Sequence, residues 1–304
     1  LLSRFNTLRE FYCGGLNLRN NNTERIVREL AGHSILSRLC LNVNEIRGEG
    51  MMALAALLIS PNCSLEDLQL MSCSINDEGA GILAPVLIRN RTLRYLNLAN
   101  NVNIITAGWR AIFTQLQSPQ SLLERLTLQG NSIDDDTANL LVASLANNTH
   151  LREVNLVQCS LVSPAGWKAF FRGMSNVLCN KASIVDTFQS NHTLRGYQCS
   201  LALAFLREHE GNLRALLQLN RNNTKFEAAR RKILSVHFSD FSIQPFIDMN
   251  LKVLPHAVAW MARDEYGNSF NVLYRFVRDT TLFVGIGGEK HVNKPQSKRQ
   301  KTQL

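Results

Sequence analysis

Seven histidines, seven cysteines and a run of three aspartates are the side chains of this 304-residue chain that could hold a metal or act as catalysts. The sequence contains no H-E-x-x-H, no CxxC and no G-x-S-x-G. Asp134–Asp136 could bind a cation, but no calcium-loop spacing surrounds them, and they stand where a helix would begin. We therefore expect no metal, no cofactor and no enzymatic activity, and we assign the aspartates to helix capping.

A lysine close to several glycines raises a second chemical hypothesis, phosphate binding. The stretch 285–290 reads GIGGEK, but it lacks the full spacing of a phosphate-binding loop, and no helix follows it. We interpret this stretch as a flexible linker into a basic tail. The segment 289–304 contributes +4 of the formal net charge of +9, from five Lys/Arg and one Glu. This tail could be a nuclear import signal, a nucleic-acid contact or a merely solvated segment.

Internal repetition decides the fold. The pattern L-x-x-L-x-L-x-x-[NC]-x-[LI] recurs at nearly constant intervals along the chain. Its copies are LSRLCLNVNEI (36–46), LEDLQLMSCSI (65–75), LRYLNLANNVNI (93–104, with one inserted residue), LERLTLQGNSI (123–133) and LREVNLVQCSL (151–161), with a weaker first copy at 8–18 and a truncated last one at 194–199. A repeat of this length indicates a solenoid built from stacked coils.

These copies resemble the leucine-rich-repeat family in its ribonuclease-inhibitor-like class, where Asn and Cys alternate at one position of each repeat. The resemblance covers about residues 5–200. It implies an α/β fold, a right-handed solenoid or horseshoe with a parallel sheet on the concave side and helices on the convex side. It also implies that the function is protein–protein binding.

The motif itself supports this fold on physical grounds. In L-x-x-L-x-L the chain is extended, so Leu39 and Leu41 point into the core while Arg38 and Asn42 point outward. At the [NC] position the chain turns, and a small buried polar side chain can bind the stranded backbone groups of neighbouring coils. The predicted structural ladder consists of Asn44, Cys73, Asn101, Asn131 and Cys159.

The second half of each repeat is predicted to be helical. The stretches 76–88 and 134–145 place apolar residues at helical spacing behind acidic residues, which suit the first turn of a helix. Strands and helices of adjacent coils would thus form two layers around one apolar core.

Two tryptophans occupy the same octapeptide frame in TAGWRAIF (106–113) and PAGWKAFF (164–171), two repeats apart. They could form a ligand-stacking site or mark a structural unit of two coils. Because Trp109 and Trp167 each fall at the start of a convex-side helix, we assign them to packing.

We expect three regions along the chain. Residues 1–200 form the solenoid of about seven repeats, 201–284 a helical C-terminal cap, and 285–304 a disordered basic tail. After residue 171 a longer helix should run to about Leu178, with an extra segment around Ile184–Phe188. Further helical segments are predicted at 213–219, 226–238, 246–262 and 271–277.

The outward strand positions are the candidate site, because they line one face of the predicted arc. The candidates for partner binding are Glu10, Tyr12, Arg38, Asn42, Asp67, Gln69, Met71, Tyr95, Asn97, Arg125, Gln129, Glu153 and Asn155. With two arginines against three acids, this face is not a basic groove for nucleic acid. Mixed polar and aromatic residues suit protein recognition, although the same positions could simply be solvated.

The resulting hypothesis is a monomeric, non-enzymatic scaffold that binds a protein partner through its concave face. A distant likeness to Ran GTPase-activating protein leaves regulation of a small GTPase as an alternative, although the basic tail departs from the acidic one of that class. Nucleic-acid association through the tail is a third. With no secretory leader, no apolar run long enough for a membrane span and no disulfide pattern, we expect a cytoplasmic, or also nuclear, location.

Overall fold

The computed structural model describes residues 7–159, 161–199 and 207–237, in which short strands alternate with helices. In chain order the elements are β1 (Glu10–Tyr12), α1 (Asn20–Leu30), β2 (Arg38–Cys40), α2 (Gly48–Ile59), β3 (Asp67–Gln69), α3 (Asp77–Leu83), α4 (Val86–Arg89), β4 (Tyr95–Asn97), α5 (Thr106–Leu116), β5 (Arg125–Thr127), α6 (Asp135–Ala146), β6 (Glu153–Leu156), α7 (Pro164–Leu178), α8 (Ile184–Gln189), β7 (Gly196–Cys199), α9 (Arg207–Asn222) and α10 (Lys225–His237).

The seven strands form one parallel sheet in the order of the chain. Each strand pairs with the next without a register shift, so that Arg38 lies beside Asp67 and Leu39 beside Leu68. A parallel pair needs a crossover, and at least one helix supplies it between every two strands. The predicted α/β solenoid with one parallel sheet is therefore confirmed.

The core lies between the sheet and the helices. The middle residue of each central strand is fully or almost fully buried, as Leu39, Leu68, Leu96 and Leu126 show. Burying one such leucine stabilises the fold by about 1.5–3 kcal/mol. The residues on either side of it in each strand point away from the core and are half-buried or exposed.

The five predicted ladder residues are buried, and their side chains bind backbone groups of neighbouring coils. The amide of Asn101 donates to the carbonyls of Leu70 (2.9 Å) and Leu98 (3.0 Å), while its oxygen accepts from the amide of Cys73 (3.0 Å). Cys73 donates its thiol to the carbonyl of Leu41 at 3.2 Å. The Asn side chain thus joins its own coil to the preceding one as both donor and acceptor, whereas the Cys thiol acts only as a weaker donor.

Each of the first six strands is followed within three residues by a residue in left-handed backbone conformation. The residues are Gly15, Val43, Ser72, Asn100, Gly130 and Gln158. At Gly130 a Cβ would overlap Oδ1 of Asn100, so any larger residue would have to displace that side chain. Val43 is the costly member, since a β-branched side chain disfavours its φ of 58°.

The two tryptophans lie in the core, as the octapeptide frame predicts. Trp109 is completely buried and stacks on Phe113 at 5.6 Å between ring centroids, and Trp167 stacks on Phe171 at 5.9 Å. Both pairs are one turn apart on their helices.

The glycine before each tryptophan makes close contact with an acidic residue of an adjacent coil. Asp77 accepts a hydrogen bond from the amide of Ile105 at 2.8 Å, and its carboxylate lies where a Cβ on Gly108 would be. Asp135 has the same relation to Gly166, two coils further along the chain. An acid of one coil therefore fits against a glycine of the next.

One helix prediction needs correction, and another is confirmed. The helix expected over 76–88 divides into α3 and α4, because Pro85 has no N–H to continue the hydrogen-bond ladder. The long helix to Leu178 is present, and the extra segment is a helix, α8.

The region after the repeats is partly described. Helix α9 covers the predicted helix at 213–219, and α10 covers 226–237, the described part of the helix predicted at 226–238; one compact unit reaches Val236. The predictions for 246–262, 271–277 and the tail at 285–304 lie outside the described residues.

Candidate functional site

The outward side chains of the sheet stand in rows, because every strand pairs in register. The first row is Glu10, Arg38, Asp67, Tyr95, Arg125, Glu153 and Gly196, and the second is Tyr12, Cys40, Gln69, Asn97, Thr127, Asn155 and Gln198. We call this surface the open sheet face. Ten of the thirteen predicted binding residues lie in these rows; Asn42, Met71 and Gln129 follow shortly after the ends of their strands.

At the amino-terminal end of the open sheet face, Arg38 is the centre of a closed network. Its guanidinium binds Asp67 at 3.0 Å and Glu10 at 3.4 Å, and it donates to the Tyr12 hydroxyl at 3.1 Å. Tyr12 in turn donates to Glu10 at 2.8 Å. These bonds, those with Tyr12 and Asp67 above all, raise the pKa of Arg38 above its ordinary value. The charge of this arginine is therefore already neutralised within the chain.

The network continues through amide side chains into the middle of the sheet. Gln69 donates to Asp67 at 2.7 Å and accepts from Asn97 at 2.8 Å. The oxygen of Asn97 accepts from the backbone amide of Ala99 at 3.0 Å. These bonds hold the amide side chains of Gln69 and Asn97 in one orientation.

Three other predicted residues use their side chains for local structure. Asn42 accepts from the amide of Met71 at 2.8 Å, and Asn155 from the amide of Val157 at 2.9 Å. Gln129 donates to Gln158 at 3.1 Å. These contacts fix the chain where it leaves the strands. The side-chain oxygens of Asn42 and Asn155 therefore already accept hydrogen bonds from the chain itself.

The carboxyl-terminal end of the open sheet face contains a cavity of about 270 Å³. It is lined by Tyr95, Arg125, Leu126, Thr127, Glu153, Val154, Asn155, Gly196, Tyr197, Gln198 and Arg221. The Arg125 guanidinium lies over the Tyr95 ring, 4.6 Å from its centroid, and the Tyr95 hydroxyl contacts Thr127 at 3.1 Å. Sequence reasoning missed Arg221, because α9 lies beyond the repeats and carries no repeat signal.

A buried lysine is the second feature that the sequence does not reveal. Lys232 of α10 is completely buried, and its ammonium donates to the carbonyls of Leu178 (2.6 Å) and Asn191 (3.2 Å) and lies 3.1 Å from Nδ1 of His192. Burial lowers the pKa of Lys232 to about 7. Burial, then the nearby lysine, lowers the pKa of His192 to about 4. Lys232 ties α10 to the end of α7, so its role here is structural.

Cys13, Cys73 and Cys159 are buried in the core of the solenoid. Burial raises the pKa of Cys13 and Cys159 to about 11 and that of Cys73 to about 12, which keeps these thiols protonated. Within residues 7–159, 161–199 and 207–237 no three His, Cys, Asp or Glu side chains are grouped as metal ligands. None of the helices in those ranges is long and apolar enough to cross a bilayer.

Comparison with known proteins gives matches to repeat proteins. A family model described as Leucine Rich repeat matches residues 62–84 and 89–112. The chain is 33% identical over 137 residues to NACHT, LRR and PYD domains-containing protein 5 of Homo sapiens, which is 45% of this chain and 11% of that protein. It is 29% identical over 179 residues to Ribonuclease inhibitor of Sus scrofa, which is 59% of this chain and 38% of that protein. The chain thus spans well under half the length of these relatives.

Proposed function

We propose that the chain binds a protein partner through its open sheet face, because its parallel sheet of strand-helix coils and its matches to leucine-rich-repeat proteins, Ribonuclease inhibitor among them, support the same kind of solenoid. Leucine-rich-repeat proteins generally mediate protein–protein interactions, and solenoids present extended surfaces for them. The partner's contacts would be made by the two rows of outward side chains, without a chemical step.

The observation that carries this proposal is that neighbouring side chains already hold the outward aromatic residues in fixed orientations. Tyr12 remains 58% exposed although its hydroxyl is bound on both sides, and Tyr95 is held between Thr127 and Arg125. Exposed aromatic and arginine side chains supply much of the binding energy in protein interfaces. Fixing them in advance lowers the entropy lost on binding.

A capture experiment with matched variants tests the proposal. The wild type, a Tyr12→Ala/Tyr95→Ala variant and a Met52→Ala/Ile59→Ala control are immobilised, and recovered proteins are quantified by mass spectrometry. Met52 and Ile59 are exposed apolar residues of α2, away from the strands. We expect at least one protein that wild type and control recover equally and the tyrosine variant loses. Equal recovery of every protein by all three would reject the open sheet face as the site.

A further inference from the structure

The cavity at the carboxyl-terminal end of the open sheet face has a charge pattern that suits an anion. Three charged side chains line it, Arg125, Arg221 and Glu153, and all three residues are exposed. Neither arginine forms an ion pair with a carboxylate of the described residues, Glu153 included. This differs from the network at Arg38, where two carboxylates neutralise one guanidinium.

The first arginine is oriented but not neutralised. Arg125 lies over the ring of Tyr95, and Tyr95 is itself positioned by Thr127. A guanidinium that stacks through its face keeps its N–H groups in the plane for acceptors such as carboxylate or phosphate. Tyr95 therefore presents Arg125 to a ligand without removing its charge.

The second arginine extends the first row from outside the sheet. In that row Glu153 is followed by Gly196, and a Cβ on Gly196 would lie 3.5 Å from a terminal nitrogen of Arg221 and 4.0 Å from Cγ of Glu153. Glycine leaves this place open, and Arg221 from α9 reaches into it. One donor of Arg221 binds the carbonyl of Arg195 at 3.3 Å, which anchors the side chain while its other N–H groups remain for a ligand.

A neighbouring cavity continues the cationic surface beyond Arg221. It measures about 440 Å³ and is lined by Arg195, Gly196, Tyr197, Gln198, Cys199, Arg214, Leu217, Gln218 and Arg221. The two cavities share Gly196, Tyr197, Gln198 and Arg221, so one extended ligand could follow both. Amide side chains such as Gln198 can bind the peptide groups of such a ligand.

We infer that this surface receives an acidic, extended segment of the protein partner, with one carboxylate or phosphate group held by Arg125 and Arg221. The inference rests on the proposed function and specifies the chemistry of the partner. Two arginines against Glu153 leave the smaller cavity with a net positive charge. An incoming anion attracts both guanidiniums and so offsets the repulsion between them. Glu153 then limits the affinity, because it repels the same anion.

Binding of labelled peptides to the full chain, measured by fluorescence anisotropy, tests this inference. Three flexible peptides of equal length are used: one with glutamates, one with phosphoserines and one with glutamines at the same positions. We expect the two anionic peptides to bind and the glutamine peptide to bind at least about tenfold more weakly. The ratio between the anionic peptides distinguishes a carboxylate ligand from a phosphate ligand.

Variants of the cavity provide the internal controls. Arg125→Gln and Arg221→Gln should each weaken anionic peptides about tenfold, and Glu153→Gln should tighten them several-fold. Arg172→Gln, at an exposed position of α7, removes the same charge from the helix layer and should leave binding unchanged. Thermal unfolding of each variant verifies that the fold is intact.

Two results would overturn the inference. One is equal affinity for the acidic and glutamine peptides, or no binding of either; the other is an equal loss in Arg172→Gln and in the cavity variants, which would mean unspecific attraction to a basic chain. The proposed function fails separately, when the Tyr12→Ala/Tyr95→Ala variant captures every protein that the wild type captures.

Discussion

The two ends of the open sheet face use the same row of positions in opposite ways. At the amino-terminal end Arg38 stands between Glu10 and Asp67 and is bound by both. At the carboxyl-terminal end Arg125 stands between Tyr95 and Glu153 and stacks on the tyrosine. A parallel sheet in perfect register places each residue between the equivalent residues of the adjacent coils. The residues at the same position in the repeats before and after an arginine thus determine whether it is paired with carboxylates or available to bind a ligand.

This contrast means that a solenoid can vary its surface without altering its core. Beneath both ends the central strand residues are leucines with 0–1% exposure, Leu39 and Leu126. The two ends therefore differ in their outward side chains alone. Substitutions in the core should affect both ends alike, whereas substitutions on the surface should affect them differently.

The largest effect is expected in the core and should be alike at both ends. Leu39→Ala and Leu126→Ala each remove a buried side chain, and each should lower the free energy of unfolding by about 2–5 kcal/mol. Denaturant unfolding monitored by circular dichroism measures both. A loss below about 1 kcal/mol at one end alone would mean that the two ends also differ in their packing.

Lys232 of α10, near the carboxyl-terminal end of the solenoid, should make the free energy of unfolding depend on pH above 7. Its pKa is about 7 in the fold against 10.5 for an ordinary lysine, so the unfolded chain binds the extra proton between these values. Stability should therefore rise as the pH rises from 7 towards 10.5, by about 2 kcal/mol between pH 7 and about pH 8.5. Ionisation of the unfolded cysteines begins near the upper end of this window and acts in the opposite direction, because burial raises the pKa of Cys13, Cys73 and Cys159 in the fold.

The comparison with Lys232→Met isolates this group. The variant also loses the bonds to two carbonyls, so the readout is the slope of unfolding free energy against pH rather than the absolute stability. We expect a smaller slope in Lys232→Met than in the wild type. Identical slopes would contradict a depressed lysine pKa.

A single substitution should make the amino-terminal end resemble the carboxyl-terminal one. Asp67→Asn removes the shorter of the two ion pairs of Arg38 and should increase the affinity for the glutamate peptide a few-fold. Anisotropy titrations of the wild type and the variant measure the change, with Arg172→Gln in the same background as the control. Unchanged affinity would show that neutralisation by Asp67 is not what distinguishes the ends.

The smallest effect concerns the left-handed turn residues. Val43→Gly removes a β-branched side chain from φ 58° and should raise the unfolding free energy by about 0.5–1 kcal/mol. Gln158→Gly, at the equivalent turn near the other end, should gain less because glutamine is not β-branched. Thermal melts of both variants check this order, and a larger gain at Gln158 would contradict the assignment of strain to branching.

Much of the fold follows from the sequence because it repeats. The leucines of the strand motif and the position of Trp109 can be located by counting, since each coil constrains the next. The break of the helix at Pro85 can also be predicted from the sequence, because proline cannot continue the hydrogen bonds of a helix. The apolar residues on both sides of Pro85 follow helical spacing, however, and this spacing predicts one continuous helix over 76–88.

The candidate site is less accessible to sequence reasoning. The row positions of Arg38 and Arg125 follow from the period, but which neighbour each one binds depends on side-chain orientation. Arg221 and Lys232 come from α9 and α10, where no repeat fixes the register, so their approach to β7 and α7 needs three-dimensional information. The hypotheses about the basic tail, a small GTPase and cellular location remain predictions.

The fit of Asp77 against Gly108, and of Asp135 against Gly166, has a consequence for how this molecule can be lengthened or shortened. The coil between them carries Thr137 at the position equivalent to the glycines. Removing the stretch 93–150, two coils, would bring Asp77 opposite Gly166 and preserve the fit. Removing 93–122 alone would set the Asp77 carboxylate against the Thr137 side chain. Between these two glycines, the smallest piece whose removal keeps the acid opposite a glycine is therefore a pair of coils, which is also the unit in which the tryptophans recur.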